Sequence, residues 1–473
     1  MAVVDALAAF VAKSSWERLS YEARQTLKRH VLDSLACALG ALDADPVLKI
    51  RRHLEDFGGR PLCTLIGGPA LSPDRAAFYN GALVRYLDFN DSYLARGETF
   101  HPSDSLGAVL AASEYAGAAG RDFLTSLAVA YHVQARLSEE APVRARGFDH
   151  TVQGAYAVAA AVSRALGLDP ERTAHAVAIA GTSLNALRVT RTGALSHWKG
   201  LAAPNAAFGA VHAAFLAMRG ITGPREVFEG RKGFMESLAG RFEIDWARED
   251  LERVRRAILK KYDAEIHAQS AIEAILELRR EHAPAPDQVE TIEADVFDVA
   301  YHIIGGGEEG GKTAVRTRED ADHSLPYLLA VAFLDGEVTP QQYAPDRIGR
   351  ADVQALLRRV RVRPDAEFSR RFPAEMPCRI RLKLKGGRTF EKEKRDYAGF
   401  HTRPLSWAEV NAKFDRLSGP VTHAELRLAL RRTVERLEDL PVSALTTLLA
   451  KAGREAAVEA APAPPGGPRR LGA

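Results

Sequence analysis

Three cysteines in 473 residues, Cys37, Cys63 and Cys378, are too few and too scattered for a disulfide framework. The same scarcity excludes a cysteine-ligated zinc or iron–sulfur motif, which needs several thiolates at short spacing. Charge of one sign is also lacking: 64 Lys and Arg stand against 61 Asp and Glu, a formal net of +3. So balanced a chain gives no electrostatic reason to expect a nucleic-acid partner, and useful positive charge must be local. Among the 14 histidines there is no H-E-x-x-H and no compact cluster at ligand spacing, so no metal is expected. The opening MAVVDALAAFVAKSSWERLS lacks a basic start and carries Asp5 inside its short apolar run. It reads as an amphipathic helix rather than a secretion signal. No stretch is read as a membrane span, and the cytoplasm is the expected compartment.

What the chain has in quantity is alanine and leucine at helical spacing, through the first 260 residues. Helix ends are well punctuated. Gly167 suits a left-handed stop, Asp169 an N-cap and Pro170 a first helical position. The character changes near residue 285. QVETIEADVF and LLRRVRVRP have strand composition, and CRIRLKLKGGRTFEKEK is the strongest strand signal. There Cys378, Ile380, Leu382 and Leu384 point one way, Arg379, Arg381, Lys383 and Lys385 the other, and Gly386-Gly387 turns into a second strand. The basic face is expected to be a solvated sheet face rather than a polyanion site, because acidic residues follow in the return strand. Helical spacing returns near Leu405, so the final helices are expected to pack back on the first. The Pro/Gly-rich end, residues 456–473, reads as a disordered tail.

Gly306 to Thr313 within IIGGGEEGGKT satisfies G-x-x-x-x-G-K-[ST]. A phosphate loop must follow a buried strand and open a helix, so that backbone N–H groups face the anion. DVFDVAYHII is passable as the strand, but AVRTREDADHS after Thr313 has no apolar stripe. Glu308 and Glu309 would repel phosphate from the loop interior. The expectation is a flexible, solvated loop, and such loops often serve as lids.

Polar clusters in apolar surroundings carry the candidate chemistry. Asp88, Asn90, Asp91 and Ser92 follow one helical stretch, and His101 and Ser103 begin the next. Asp149 and His150 precede an alanine-rich helix, and His197 and Lys199 introduce another. Each cluster alone is compatible with simple capping. Together, helix starts carrying His or Lys favour anions. Lys260, Glu265 and His267 form a further cluster. His323 and Tyr327 stand at i and i+4, so they are expected to share a helix face.

These stretches resemble the MmgE/PrpD family in the right order from about residue 5 to 450: YLDFNDSY…HPSD, RGFDHTVQGAYAVAAAVSRALGLD, SHWKGLAAPNAAFGAVHAAFLAMRGITGP, KKYDAEIHAQSAIEA and ADHSLPYLLAVAFLDG. The resemblance implies a mostly α, two-domain chain. A large helical domain would be built from residues 1–264 and 403–455, and a smaller α+β lid domain from 265–402. It implies a homodimer with a cofactor-free site acting on a small polycarboxylate. The family comprises 2-methylcitrate dehydratases with cis-aconitate decarboxylases and iminodisuccinate epimerases. Asp88, Ser92, His101, His150, Lys199 and Lys260 match its active-site positions, with Glu265 and Tyr327 as further matches. The stretch EIHAQS is similar to the dehydratases, the decarboxylases having histidine where this chain has Glu265. Such chemistry needs fixed cations at carboxylates and groups that move protons. Lys199 and Lys260 suit the first task, with Arg188 beside them, and His101 and His150 the second. Asp88 suits either tuning a histidine or acting as a base. Ser92, Glu265, His267, His323 and Tyr327 complete the candidate binding set.

Overall fold

The computed structural model describes residues 2–192, 195–308 and 310–453, so Glu309 and the 456–473 tail lie outside the described residues. The chain is mostly helical. Its larger apolar cluster draws on residues 4 to 259 and again on 405 to 452. A second cluster runs from Ala264 to Leu384, and a small third one joins Leu94 and Ile258 to Ile266, Met376, Tyr397 and Phe400. The return of the chain end is direct. Lys413, on helix Trp407–Ser418, is paired with Asp33 at 2.6 Å and donates to the carbonyls of Phe89 and Lys260.

Small residues set how closely the helices approach. A Cβ on Gly107 would stand 2.5 Å from the backbone nitrogen of Gly81, so helices Pro73–Tyr86 and Leu106–Tyr115 touch backbone to backbone. A Cβ on Gly81 would in turn lie 3.6 Å from Pro204 of helix Trp198–Met218. Only glycine allows the first of these contacts. The same contact draws together the end of one helix, with Arg85 in its last turn and Asp88 beyond it, and the start of the next, with His101. Helix Trp198–Met218 corrects one expectation: by length and composition it could cross a membrane. Gly200 to Met218 contains no Asp, Glu, Lys or Arg. Here it packs against helices Pro73–Tyr86, Thr151–Ala165 and Pro170–Ser183, which is the position of a core helix.

The sheet has four strands, in the order Val360–Pro364, Val289–Val296, Cys378–Leu384 and Thr389–Lys394. The first pair is parallel and the rest antiparallel. Cys378, Ile380, Leu382 and Leu384 are buried under helix Gln269–His282, as the alternation requires. On the other face Arg379 meets Glu393 at 2.8 Å, Arg381 meets Asp295 and Glu391 at 2.8 Å, and Lys383 meets Glu293 at 2.6 Å. The basic row is therefore paired within its own sheet.

The strand read into DVFDVAYHII stops at Val296. The remainder turns helical, over Asp298–Ala300 and Tyr301–Gly305, because Ala300, Ile303 and Ile304 bury one helical face. After Thr313 the chain is irregular until Thr317 caps a five-residue helix, Arg318–Asp322. Among the described residues, Gly306 to Thr313 thus follows helical backbone and no helix opens directly after Thr313, unlike a phosphate loop.

Candidate active site

Asp88 is the hub. It lies just past helix Pro73–Tyr86 with φ of +53°, a left-handed backbone that Asp tolerates better than most side chains. Its Oδ1 accepts from Arg85 Nη1 at 2.6 Å and from Lys260 Nζ at 3.0 Å, and Oδ2 accepts from Lys199 Nζ at 3.2 Å. Lys260 also donates to the Asp88 carbonyl. Local structure explains each approach. Arg85 is one helical turn back from Asp88, and Lys260 follows an antiparallel bridge between Ser92 and Ile258. Lys199 sits in the first turn of helix Trp198–Met218, where the helix dipole disfavours a cation and the Asp88 carboxylate compensates. All four side chains are buried. Burial alone would raise the Asp88 carboxyl, but Arg85, Lys260 and Lys199 overcome it and hold it well below the ordinary range.

His101 and His150 both occupy helix-start positions, with ring centroids 5.8 Å apart. His101 Nε2 lies 3.1 Å from Arg85 Nη2, and a guanidinium can only donate. Nε2 therefore holds the lone pair, and Nδ1 carries the proton it donates to the Asp91 carbonyl at 2.7 Å. Ser92 Oγ stands 3.2 Å from the same Nδ1. The Asp91 carboxylate is fixed in turn by His30 at 2.8 Å, the Tyr131 hydroxyl at 2.6 Å and the Ser103 N–H at 3.0 Å. Burial, then Arg85 and Lys260, push His101 well below its ordinary value.

His150 is different: it is buried, yet neither ring nitrogen has a hydrogen-bond partner among the described residues. Asp149 Oδ1 is 3.7 Å from Nδ1 and Asp104 Oδ2 is 3.9 Å from Nε2. Burial lowers this imidazole too, while Asp149 pulls the other way.

These groups line one cavity of about 60 Å³, together with Arg188, Glu265, His267 and His323. Nine of the eleven residues singled out from the sequence are thereby brought together. Ser92 stands behind His101 rather than on the wall. Tyr327 is elsewhere: its hydroxyl donates to the Gln342 carbonyl inside the second apolar cluster. His323 and Tyr327 do not share a helix, because His323 ends helix Arg318–Asp322 and Ser324 caps the next one, Leu325–Asp335. Glu265 accepts from the N–H and Nδ1 of His267 at 2.8 and 2.7 Å. Burial raises this carboxyl, but His267 overrides it and brings it down to about 2, so it is held as the anion.

The sequence reading missed Arg85, Glu98, Arg144 and Arg191 on this wall, and Asp104 and Asp322 behind it. Arg85 had a faint signal, a cation on a small-residue helix three positions before Asp88. Arg191 is tied to Asp149 at 2.6 Å, a pairing across 42 residues that no spacing rule reveals. One trio, Asp88, Asp322 and His323, is close enough to hold a metal ion. Lys199 Nζ already lies among them, at 3.2, 3.6 and 3.1 Å. The donor set thus fits an ammonium, which a metal would have to displace.

A buried cavity walled by Arg85, Arg144, Arg188, Arg191, Lys199 and Lys260, with two uncharged imidazoles inside, defines an acid–base site for an anion. The chain belongs to the MmgE/PrpD family: residues 5–247 match the MmgE/PrpD N-terminal domain and residues 262–439 the C-terminal domain. It is similar to the cis-aconitate decarboxylase of Mus musculus, 28% identical over 449 residues, covering 89% of this chain and 88% of the relative. It is also similar to the 2-methylcitrate dehydratase of Cupriavidus necator, 31% identical over 391 residues and 78% of each chain. An alkylcitrate dehydratase from a fungal species is 31% identical over 424 residues, 83% of each chain. On this membership the protein is an enzyme of the lyase class.

Proposed function

We propose that the protein removes water from 2-methylcitrate, or a close hydroxy-tricarboxylate, by β-elimination to the cis alkene. The observation that carries this reading is the pair of imidazoles 5.8 Å apart inside a wall of fixed cations. Elimination needs a base at one carbon and an acid at the hydroxyl of its neighbour, with positive charge held at the carboxylates. Lys199, Lys260 and Arg85 bind and polarise the carboxylate next to the reacting carbon, and Arg188 and Arg191 hold another. His150 takes the carbon-bound proton. Its unpartnered nitrogens are available, and Asp149 and Asp104 stabilise the imidazolium that forms. His101 serves the hydroxyl. Burial, Arg85 and Lys260 oppose its protonation, but a substrate carboxylate that draws Arg85 away from Nε2 and offsets both charges lets Nε2 carry the proton that leaves with hydroxide as water. His150 is left as the imidazolium and His101 as the neutral imidazole, so a single proton transfer through solvent from His150 to His101 resets the site.

Glu265 favours dehydration over decarboxylation. A carboxylate held down by His267 cannot supply the proton that a carbanion needs after loss of carbon dioxide. In this reading residues 265–402 form the smaller domain, closing the cavity from one side. The glycine-rich loop borders a groove of about 870 Å³, which shares Glu98, Thr99, Arg144 and Arg188 with the inner cavity.

Propane-1,2,3-tricarboxylate has the charges of such a substrate but no hydroxyl to lose. At a hundred times its Kd it is expected to stabilise the fold by about 2.7 kcal/mol, with or without a chelator present. ATP with magnesium should leave Tm unchanged. A saturable Tm rise with ATP, and none with any tricarboxylate, would overturn the proposal.

A further inference from the structure

Glu98 opens strand Glu98–Phe100, is 2% exposed, and lines both the inner cavity and the outer groove. Its Oε2 accepts from the backbone N–H groups of Val143 and Arg144, at 3.4 and 3.2 Å. Its Oε1 is buried and has no hydrogen-bond partner among the described residues. A buried carboxylate oxygen with nothing to accept from is costly, and it would repel an entering polyanion. The same oxygen bearing a proton becomes a donor instead of a second unmatched acceptor. We propose that Glu98 stands as a neutral carboxylic acid where the groove meets the cavity, and donates its Oε1–H to a carboxylate of the bound substrate.

This rests on the polycarboxylate reading above and adds a recognition element to it. Among the described residues, Arg188, Asp149 and Arg144 act on Glu98; the inner cavity it lines also carries His101, His150 and Arg191, and the groove His302 and Glu308. Burial raises the Glu98 carboxyl, Arg188 lowers it and Asp149 raises it again, leaving it at about 7. The sign follows. The acid keeps its proton below that value and loses it above, while a bound carboxylate raises the value further. Binding above pH 7 therefore takes up a proton, and affinity falls by up to about tenfold per pH unit.

The test is calorimetric titration of the full chain with propane-1,2,3-tricarboxylate at about pH 8, in buffers of different ionisation enthalpy, which counts protons taken up. Glu98→Gln keeps a donor at this position but cannot titrate. Uptake is expected to be lower in Glu98→Gln than in the wild type by most of one proton. The affinity of the variant should also be flatter across the alkaline range. Equal uptake in the two proteins would overturn the proposal while leaving the polycarboxylate reading standing. Absence of tricarboxylate binding by the wild type would overturn both. If the variant does not fold, the wild type decides the matter alone: its infrared difference spectrum on binding must contain a protonated-carboxyl band, and lack of that band is a refutation.

Discussion

His150→Gln is expected to lower kcat by about 10²–10⁴-fold, the span usual for a positioned acid–base group, with tricarboxylate affinity and Tm close to wild type. The expectation of an intact fold comes from the site itself. Neither nitrogen of His150 makes a hydrogen bond among the described residues, so Gln abandons no buried partner. It also fills much of the same volume, at a helix start rather than in the apolar core. What it loses is the ability to take a proton. The pH profile adds a second reading. Burial lowers the His150 pKa, so the base stays neutral to below its ordinary value. In the wild type the acid limb of kcat/KM should therefore fall below about pH 6.5, and in His150→Gln that limb should be lost. Near-normal turnover by a folded His150→Gln would remove this residue from the mechanism.

Asp88→Asn should fail in the opposite manner, through stability first. The carboxylate is shared by Arg85, Lys260 and Lys199, all buried. Taking one partner from a buried charge cluster typically costs about 3–5 kcal/mol, because the remaining charges are left uncompensated. Asn also gives up one acceptor oxygen, so one of the three donors loses its contact. The variant should melt well below wild type, and its turnover should fall as the cations shift. A tricarboxylate can supply the missing negative charge. Added propane-1,2,3-tricarboxylate should therefore raise Tm more in Asp88→Asn than in the wild type, when both are saturated. Melts of the two proteins with and without the ligand provide the check. Wild-type stability in the unliganded variant would mean that Asp88 does not hold the cation cluster together.

The residues differ in how far their roles were legible in the sequence, and the differences have physical causes. His101, His150 and Lys199 showed themselves because a titratable group at the start of an alanine-rich helix contrasts with its surroundings, and all three line the cavity. The alternation from Cys378 to Leu384 similarly marked a strand whose buried face follows the period of two. Glu98 gave no such contrast. It lies in a polar turn, and its burial comes from Val143 and Arg144, 45 and 46 residues away. His323 and Tyr327 share no helix face because i, i+4 spacing assumes an unbroken helix, and the Ser324 cap interrupts it. The helical run at Tyr301–Gly305 was misread because a short apolar stretch fits strand and helix alike. The apolar character of Gly200–Met218 was overlooked for a related reason: many small residues favour close packing, yet they raise hydropathy as a membrane span does.

The central claim is that this cavity removes water from a hydroxy-tricarboxylate with protein side chains alone. The direct measurement is incubation of purified, chelator-treated enzyme with 2-methylcitrate, with citrate and cis-aconitate alongside, following alkene absorbance and released carbon dioxide together. The expected result is alkene formation from 2-methylcitrate without carbon dioxide, undiminished by chelation. Carbon dioxide release from cis-aconitate with no alkene from either citrate, or activity abolished by chelation and restored by iron, would contradict it.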